Sequence, residues 1–177
     1  MKKILGIHGF MGNEKVYFFP WIKSRYQNHA EIHIPSFPNP KTPHIHEWTE
    51  TIKELPENDF DLIIAHSLGG TFALSLIMRD IIKTKHLITI GSSPGPKETS
   101  DMSTFLNYPL EFPKIMPKIE SYTIVHSFDD PYTYPEYAIT SLKHSKGTGI
   151  FYADQGHFET LQLPKEVTTI IDQIIFA

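Results

Sequence analysis

Residues 62–78 read "LIIAHSLGGTFALSLIM". A continuous apolar run, Leu62 to Ala65, leads in, and an apolar helical pattern from Thr71 leads out. Between them stand His66, Ser67, Gly69 and Gly70. Continuous apolar runs of this length mark strands buried on both faces, the habit of parallel sheets. A strand that turns directly into a helix at small-x-Ser-x-Gly-Gly is sterically demanding. The serine must take a strained backbone, and the residues two before and two after it must be small. Ala65 and Gly69 meet that demand. The turn lifts the Ser67 hydroxyl above the sheet edge and aims the N-terminus of the next helix at the same spot, where its amides favour negative charge. The alternative is a serine that merely caps an ordinary strand-to-helix turn.

Working outward, six β-rich runs are expected. They are Lys3 to His8, Glu31 to Pro35, Phe60 to Ala65, His86 to Ile90, Ser121 to His126 and Gly149 to Ala153. Helical patterns alternate with them. "IHEWTETIKEL" sets Ile45, Trp48, Ile52 and Leu55 on one face. "PEYAITSLKH" points Tyr137, Ile139 and Leu142 inward or nearly so. "PKEVTTIIDQIIFA" places Val167, Ile170, Ile171, Ile174 and Ile175 at strict helical spacing behind Pro164. The alternation predicts an α/β domain of about six mostly parallel strands with helices on both faces. At 177 residues the chain suits one domain, 1–177.

One stretch breaks the pattern. Residues 91–118, "GSSPGPKETSDMSTFLNYPLEFPKIMPK", hold five of the fourteen prolines together with Met102, Phe105, Leu106, Tyr108, Leu110, Phe112 and Met116. Two readings stand for it: a surface segment with one helix packed on the core, or a cap facing the substrate.

Composition narrows the function. Net charge is −4, and the basic residues form no patch that would suit nucleic acid. Cysteine is absent, which excludes disulfides, thiolate metal sites and a cysteine nucleophile. No apolar run approaches the ~18 residues of a membrane span, and the N-terminal run is too short for a signal peptide. The expectation is a soluble, cytoplasmic protein. In "HAEIHIPSFPNPKTPHIH", His29, His33, His44 and His46 lie too close to prolines and a buried strand to form an evident metal set.

A nucleophilic Ser67 needs a base and an orienting acid, and chains with this elbow order them Ser, Asp or Glu, His. Of the histidines after Ser67, His86 opens a strand, His126 ends one and His144 sits on a charged helix end. His157, in "YADQGHFE" between the last strand and last helix, occupies a loop at a carboxyl sheet edge. It is the expected base, against the alternative of a solvated loop histidine. For the acid, Asp129 and Asp130 end a strand before Pro131, where one can orient and the other cap; Asp154 is a rival three residues from His157. The oxyanion would be held by the backbone amides of Leu68 and of Phe10, the latter in the glycine-flanked "HGFMG" loop. His8 precedes Ser67, the wrong order for a base, and reads as a residue that holds that loop.

"HGFMG", "AHSLGG", "DDPYTYPEYA" and "DQGHF" stand in the order and spacing of the α/β-hydrolase superfamily. More narrowly, the "FPNP" turn before Trp48, the "DDP" and the "GHF" resemble the small serine hydrolases related to retinoblastoma-binding protein nine and their short bacterial relatives. The resemblance covers nearly the whole chain. It implies a three-layer α/β-hydrolase-type fold whose sheet starts at what larger members count as their third strand. It implies Ser67 as nucleophile, His157 as base and Asp130, directly before Pro131, as acid. The expected activity is carboxylesterase-type hydrolysis of an ester, thioester or activated amide through an acyl-enzyme, with a small acyl substrate and no cofactor or metal. The alternative from another class is a binding module that keeps the fold without the activity. The 91–118 stretch maps onto no motif of the family.

Overall fold

The computed structural model describes residues 1–92, 103–106 and 109–177, and of Ser103 and Leu106 only the backbone. The elements run β1 (Lys2–Ile7), α1 (Phe19–Tyr26), β2 (Ala30–His33), α2 (Ile45–Lys53), β3 (Asp59–His66), α3 (Leu68–Met78), β4 (Lys83–Ile90), α4 (Ser103–Leu106), α5 (Phe112–Ile115), β5 (Ser121–Ser127), α6 (Pro135–Ser145), β6 (Thr148–Tyr152) and α7 (Lys165–Ile175), with a 3₁₀ turn at Met116–Lys118. The strands form one sheet in the order β2-β1-β3-β4-β5-β6, every neighbouring pair parallel. This is the expected α/β architecture.

Strand alternation divides the apolar side chains between two cores. Leu5, Ile7, Ile63, Ala65 and Leu87 face α2, α3 and α6. Ile4, Leu62, Ile64, Ile88 and Val125 face α1 and α7. A strand with apolar residues on both pleat faces needs helices on both, which explains the unbroken runs. On α7, Val167, Ile171 and Ile175 are buried, with Ile170 and Ile174 packed beside them. On α6 the buried residues are Ala138, Ser141 and Ser145, while Tyr137, Ile139 and Leu142 are half-buried. Small residues face inward there, so the larger ones are displaced to the flanks. Helix α1 is an element that the apolar spacing did not announce.

Within the proline-rich stretch, Phe105 packs edge-on against Trp48 and Phe72, and Ile115 is fully buried. Leu110, Phe112 and Met116 lie against the same core. The expectation of a substrate-facing cap at 91–118 falls in part on residues 93–102 and 107–108, Met102 and Tyr108 among them, which lie outside the described residues.

Helix α3 presses closely on the sheet. A Cβ on Gly69 would sit 2.5 Å from the Ile7 carbonyl oxygen and 2.6 Å from that of His8; one on Gly70 would meet Ser92 Oγ at 2.2 Å. The Gly69 obstacle is backbone and cannot rotate away. The order of strands reverses direction between β1 and β3, which opens a crevice between their carboxyl ends. Gly69→Ala should therefore cost about 3 kcal/mol, measured by urea unfolding. Gly156→Ala, where φ is +51° and no atom lies within 4 Å, should cost only about 1 kcal/mol.

Candidate active site

Ser67 stands between β3 and α3 with φ 53° and ψ −127°, a region that non-glycine residues avoid. The chain holds it there because its amide still donates to Ile90 O on β4 at 2.9 Å, while its carbonyl already accepts the Gly70 amide at 3.0 Å. One residue thus belongs to the sheet and the helix at once. Ser67 is half-buried, and among the described residues its hydroxyl makes no hydrogen bond.

The first-strand loop abuts it. A Cβ on Gly9 would lie 2.6 Å from Ser67 Cβ and 3.1 Å from its Oγ, so only glycine lets the two loops meet. His8 fixes the peptide that follows. It accepts the Phe37 amide at Nε2, 3.1 Å, which leaves Nδ1–H to donate to Gly9 O at 2.9 Å. Burial lowers the His8 pKa and keeps the ring neutral, as this pairing requires. The Gly12 amide also donates to Gly9 O, at 3.1 Å. No cis peptide occurs among the described residues, so the Phe10 N–H points opposite to that anchored carbonyl. Among the described residues neither the Phe10 nor the Leu68 amide donates to a protein acceptor. The loop is braced from outside by Met11 N to Pro40 O, 2.8 Å, and the "FPNP" turn is itself held by Trp48 Nε1 to Pro38 O, 2.9 Å, and by Phe37 stacked on the indole.

Across the crevice, His157 Nδ1 donates to Asp130 Oδ2 at 2.7 Å. The Asp130 side chain is wholly buried, and that of His157 is 8% exposed. Burial alone would raise the Asp130 pKa, but hydrogen bonds from His157 and from Thr133 Oγ1 at 2.7 Å bring it down to about 2. The amides of Tyr132 and Thr133 complete the set on Oδ1 at 2.8 and 3.0 Å. The ionised carboxylate accepts from Nδ1–H, which turns Nε2 away from Asp130.

The site residues expected from sequence therefore divide as follows. Asp130 and His157 are joined directly. Asp129 does not orient the base; its Oδ1 accepts from Ser127 Oγ at 2.5 Å and from the Gly156 amide at 2.8 Å, tying the acid loop to the base loop. Asp154 is exposed, and among the described residues its carboxylate accepts only from Gln155 Nε2, at 3.4 Å. No hydrogen bond joins Ser67 Oγ to His157 in this structure; contacts of this kind commonly tighten only around substrate. What links the two loops is His66, whose Nε2–H donates to His157 O at 2.8 Å, with ring centroids 4.8 Å apart. Burial is the main cause that drives its pKa down to about 3, so it stays neutral and keeps that donor. Sequence reasoning gave no role to His66 or Thr133. Thr133 had a local signal, three residues after Asp130; His66 had none, because its partner is a backbone carbonyl 91 residues away.

Elsewhere, His44 caps α2 through the His46 amide, and His33 pairs with Glu31. Among the described residues no group of three His, Cys, Asp or Glu side chains is placed to hold a metal ion. A groove of about 480 Å³ between Lys15, Pro20, Lys23 and Ile34 contains none of the residues above. Among the described residues no helix is long and apolar enough to cross a membrane.

Comparison with known proteins follows this geometry. Residues 4–162 match the family described as serine hydrolase. No curated protein matches the sequence. Among solved structures, the ydeN gene product from B. subtilis is 20% identical with a TM-score of 0.88, and the match covers 100% of both chains. MenH from S. aureus is 11% identical with a TM-score of 0.74, over 99% of this chain and 93% of that one. Est1E from Butyrivibrio proteoclasticus is 15% identical with a TM-score of 0.68, over 99% and 86%. At these identities the likenesses show the α/β-hydrolase fold.

The Asp130 network generates a stability prediction. A carboxylate whose folded pKa is depressed contributes stability above its unfolded pKa, about 3.9, and loses it as pH falls toward about 2. Thr133→Val removes one donor and should raise the Asp130 pKa. We expect a loss of about 1 kcal/mol at pH 7. In urea titrations the gap from wild type should close as pH drops below 3. A gap that stays constant down to pH 2 would assign the loss to packing instead.

Proposed function

The chain belongs to the serine hydrolase family, and from that premise we propose that Ser67, His157 and Asp130 form a catalytic triad for acyl transfer to water. The observation that carries the reading is the buried 2.7 Å bond between His157 Nδ1 and an ionised Asp130, set beside a serine at φ 53°. In this reading Ser67 Oγ attacks the carbonyl carbon of an ester, thioester or activated amide, and His157 Nε2 takes the hydroxyl proton. The oxyanion that forms accepts from the Phe10 and Leu68 amides, the second at the N-terminus of α3. The tetrahedral intermediate collapses as the bond to the leaving group breaks, and His157 passes its proton to that group. Water then attacks the acyl-enzyme and loses a proton to His157, and as the Ser67 Oγ–acyl bond breaks to release the acid, His157 returns that proton to Ser67 Oγ. Asp130 holds the ring in the tautomer that each step uses.

Residues 1–177 act in this reading as one catalytic domain, and the lack of cysteine is in keeping with a cytoplasmic setting. The substrate is a small acyl compound and the protein needs no cofactor.

The test is intact-mass analysis after exposure to a fluorophosphonate. Wild type should gain a single adduct, and Ser67→Ala none. Hydrolysis of an aryl acetate should fall by roughly 10⁴-fold or more in Ser67→Ala, with thermal unfolding little changed. A folded wild-type protein that takes no adduct would overturn the triad and favour a binding module on the same fold.

A further inference from the structure

Among the described residues, the exposed large apolar side chains away from the two termini are Met11, Phe128, Tyr132, Tyr134 and Leu161. All five stand on loops that follow strands at the carboxyl edge of the sheet, the edge that carries Ser67. Apart from Met1 and Phe176 at the termini, no other large apolar side chain among the described residues is exposed. One of the five touches the proposed machinery: the Tyr132 ring lies edge-on to the His157 imidazole with centroids 5.0 Å apart, yet the residue is 59% exposed. Its place is fixed from behind, because its amide donates to Asp130 Oδ1 at 2.8 Å.

Charge across the same edge is uneven. The loops after β5 and β6, residues 128–134 and 153–164, carry Asp129, Asp130, Asp154 and Glu159 with no lysine or arginine. The loops after β1 and β2, on the far side of the strand order, carry Lys15, paired with Glu14, and Lys41. The imidazole therefore sits in the acidic, aromatic half of the crevice.

Chemistry says which part of a substrate enters that half. The base that takes the Ser67 proton returns it to the departing oxygen or sulfur, so the leaving group must lie within hydrogen-bond reach of His157. It then lies against the Tyr132 ring. We infer that Tyr132 determines specificity for the leaving group, and that the enzyme favours esters of uncharged aryl alcohols over those whose leaving group carries a carboxylate or phosphate. The inference rests on the reading of Ser67 as nucleophile. Stacking on an exposed ring supplies attraction for an aryl leaving group, and the surrounding carboxylates repel an anionic one over about a Debye length.

The experiment compares kcat/KM for acetates that share one acyl group: phenyl acetate, ethyl acetate and 4-carboxyphenyl acetate with its methyl ester. A shared acyl group makes deacylation common to all, and comparing variants cancels intrinsic leaving-group reactivity. Tyr132→Ala should lower the phenyl-to-ethyl ratio about fivefold, and Tyr132→Phe should restore it. The backbone bond to Asp130 survives both changes, and matching thermal midpoints will show that the loop has kept its place. Wild type should disfavour the ring carboxylate about threefold or more against its methyl ester at low ionic strength, with the gap narrowing as salt is added. An adduct on Ser67 with the phenyl-to-ethyl ratio unmoved by Tyr132→Ala would overturn the role of Tyr132 and leave the triad standing. Equal rates for the charged and uncharged ring would overturn the exclusion of anions. No adduct on folded protein would overturn both the triad and this inference.

Discussion

The close approach of α3 to the end of β1 is the constraint from which the rest of the site follows. The helix can lie where it does only because Gly69 offers no Cβ to the carbonyl oxygens of Ile7 and His8. With the helix so near, the chain has one residue in which to pass from sheet to helix. That residue is Ser67, and φ 53° is the consequence. The same closeness brings the "HGFMG" loop against the serine, where Gly9 again must lack a side chain. A single packing demand thus brings together the strained serine, the free amide at the head of the helix and the loop that presents the Phe10 amide.

The polar half of the site answers a different problem, the burial of a charge. A carboxylate removed from water is unfavourable by several kcal/mol unless its lone pairs are met. Asp130 meets four donors: two amides, the Thr133 hydroxyl and the His157 ring. The neighbouring histidines solve the reverse problem. Burial keeps His8, His66 and His126 neutral, since it lowers the pKa of each. His8 and His66 each hold one backbone carbonyl, Gly9 O and His157 O respectively. They serve as neutral struts.

Much of this could be read in the sequence, for physical reasons that differ by element. The strands "LIIA", "LITI" and "YTIV" were legible because a strand covered on both faces shows no alternation. Helix α7 was legible from its regular apolar spacing. Helix α1 was not: in "YFFPWIKSRY" the large residues crowd the first half instead of recurring each turn, and Phe18, Phe19, Ile22 and Tyr26 are nevertheless all buried. The strained serine was legible because its steric demand falls on residues two places away. The choice between Asp129 and Asp130 could not be made from the residues alone. Adjacent side chains at the end of a strand point to opposite sides, and which side holds the base depends on a loop 27 residues further on. The family resemblance selected Asp130, the residue whose carboxylate the structure joins to His157.

Asp130 also joins two neighbouring side chains. Its Oδ2 holds the imidazole and its Oδ1 holds the amide of Tyr132, so one carboxylate fixes both the His157 ring and the backbone of the tyrosine that borders it. Protonating it would weaken both grips together, because each acceptor is strongest in the ionised form. The depressed pKa of Asp130 therefore keeps the carboxylate ionised, and both bonds at full strength, at neutral pH. A fold shared with many hydrolases says little about substrate. What distinguishes this chain is carried on short loops at one sheet edge, where one buried charge fixes the neighbouring backbone and leaves the side chains beyond it free to vary.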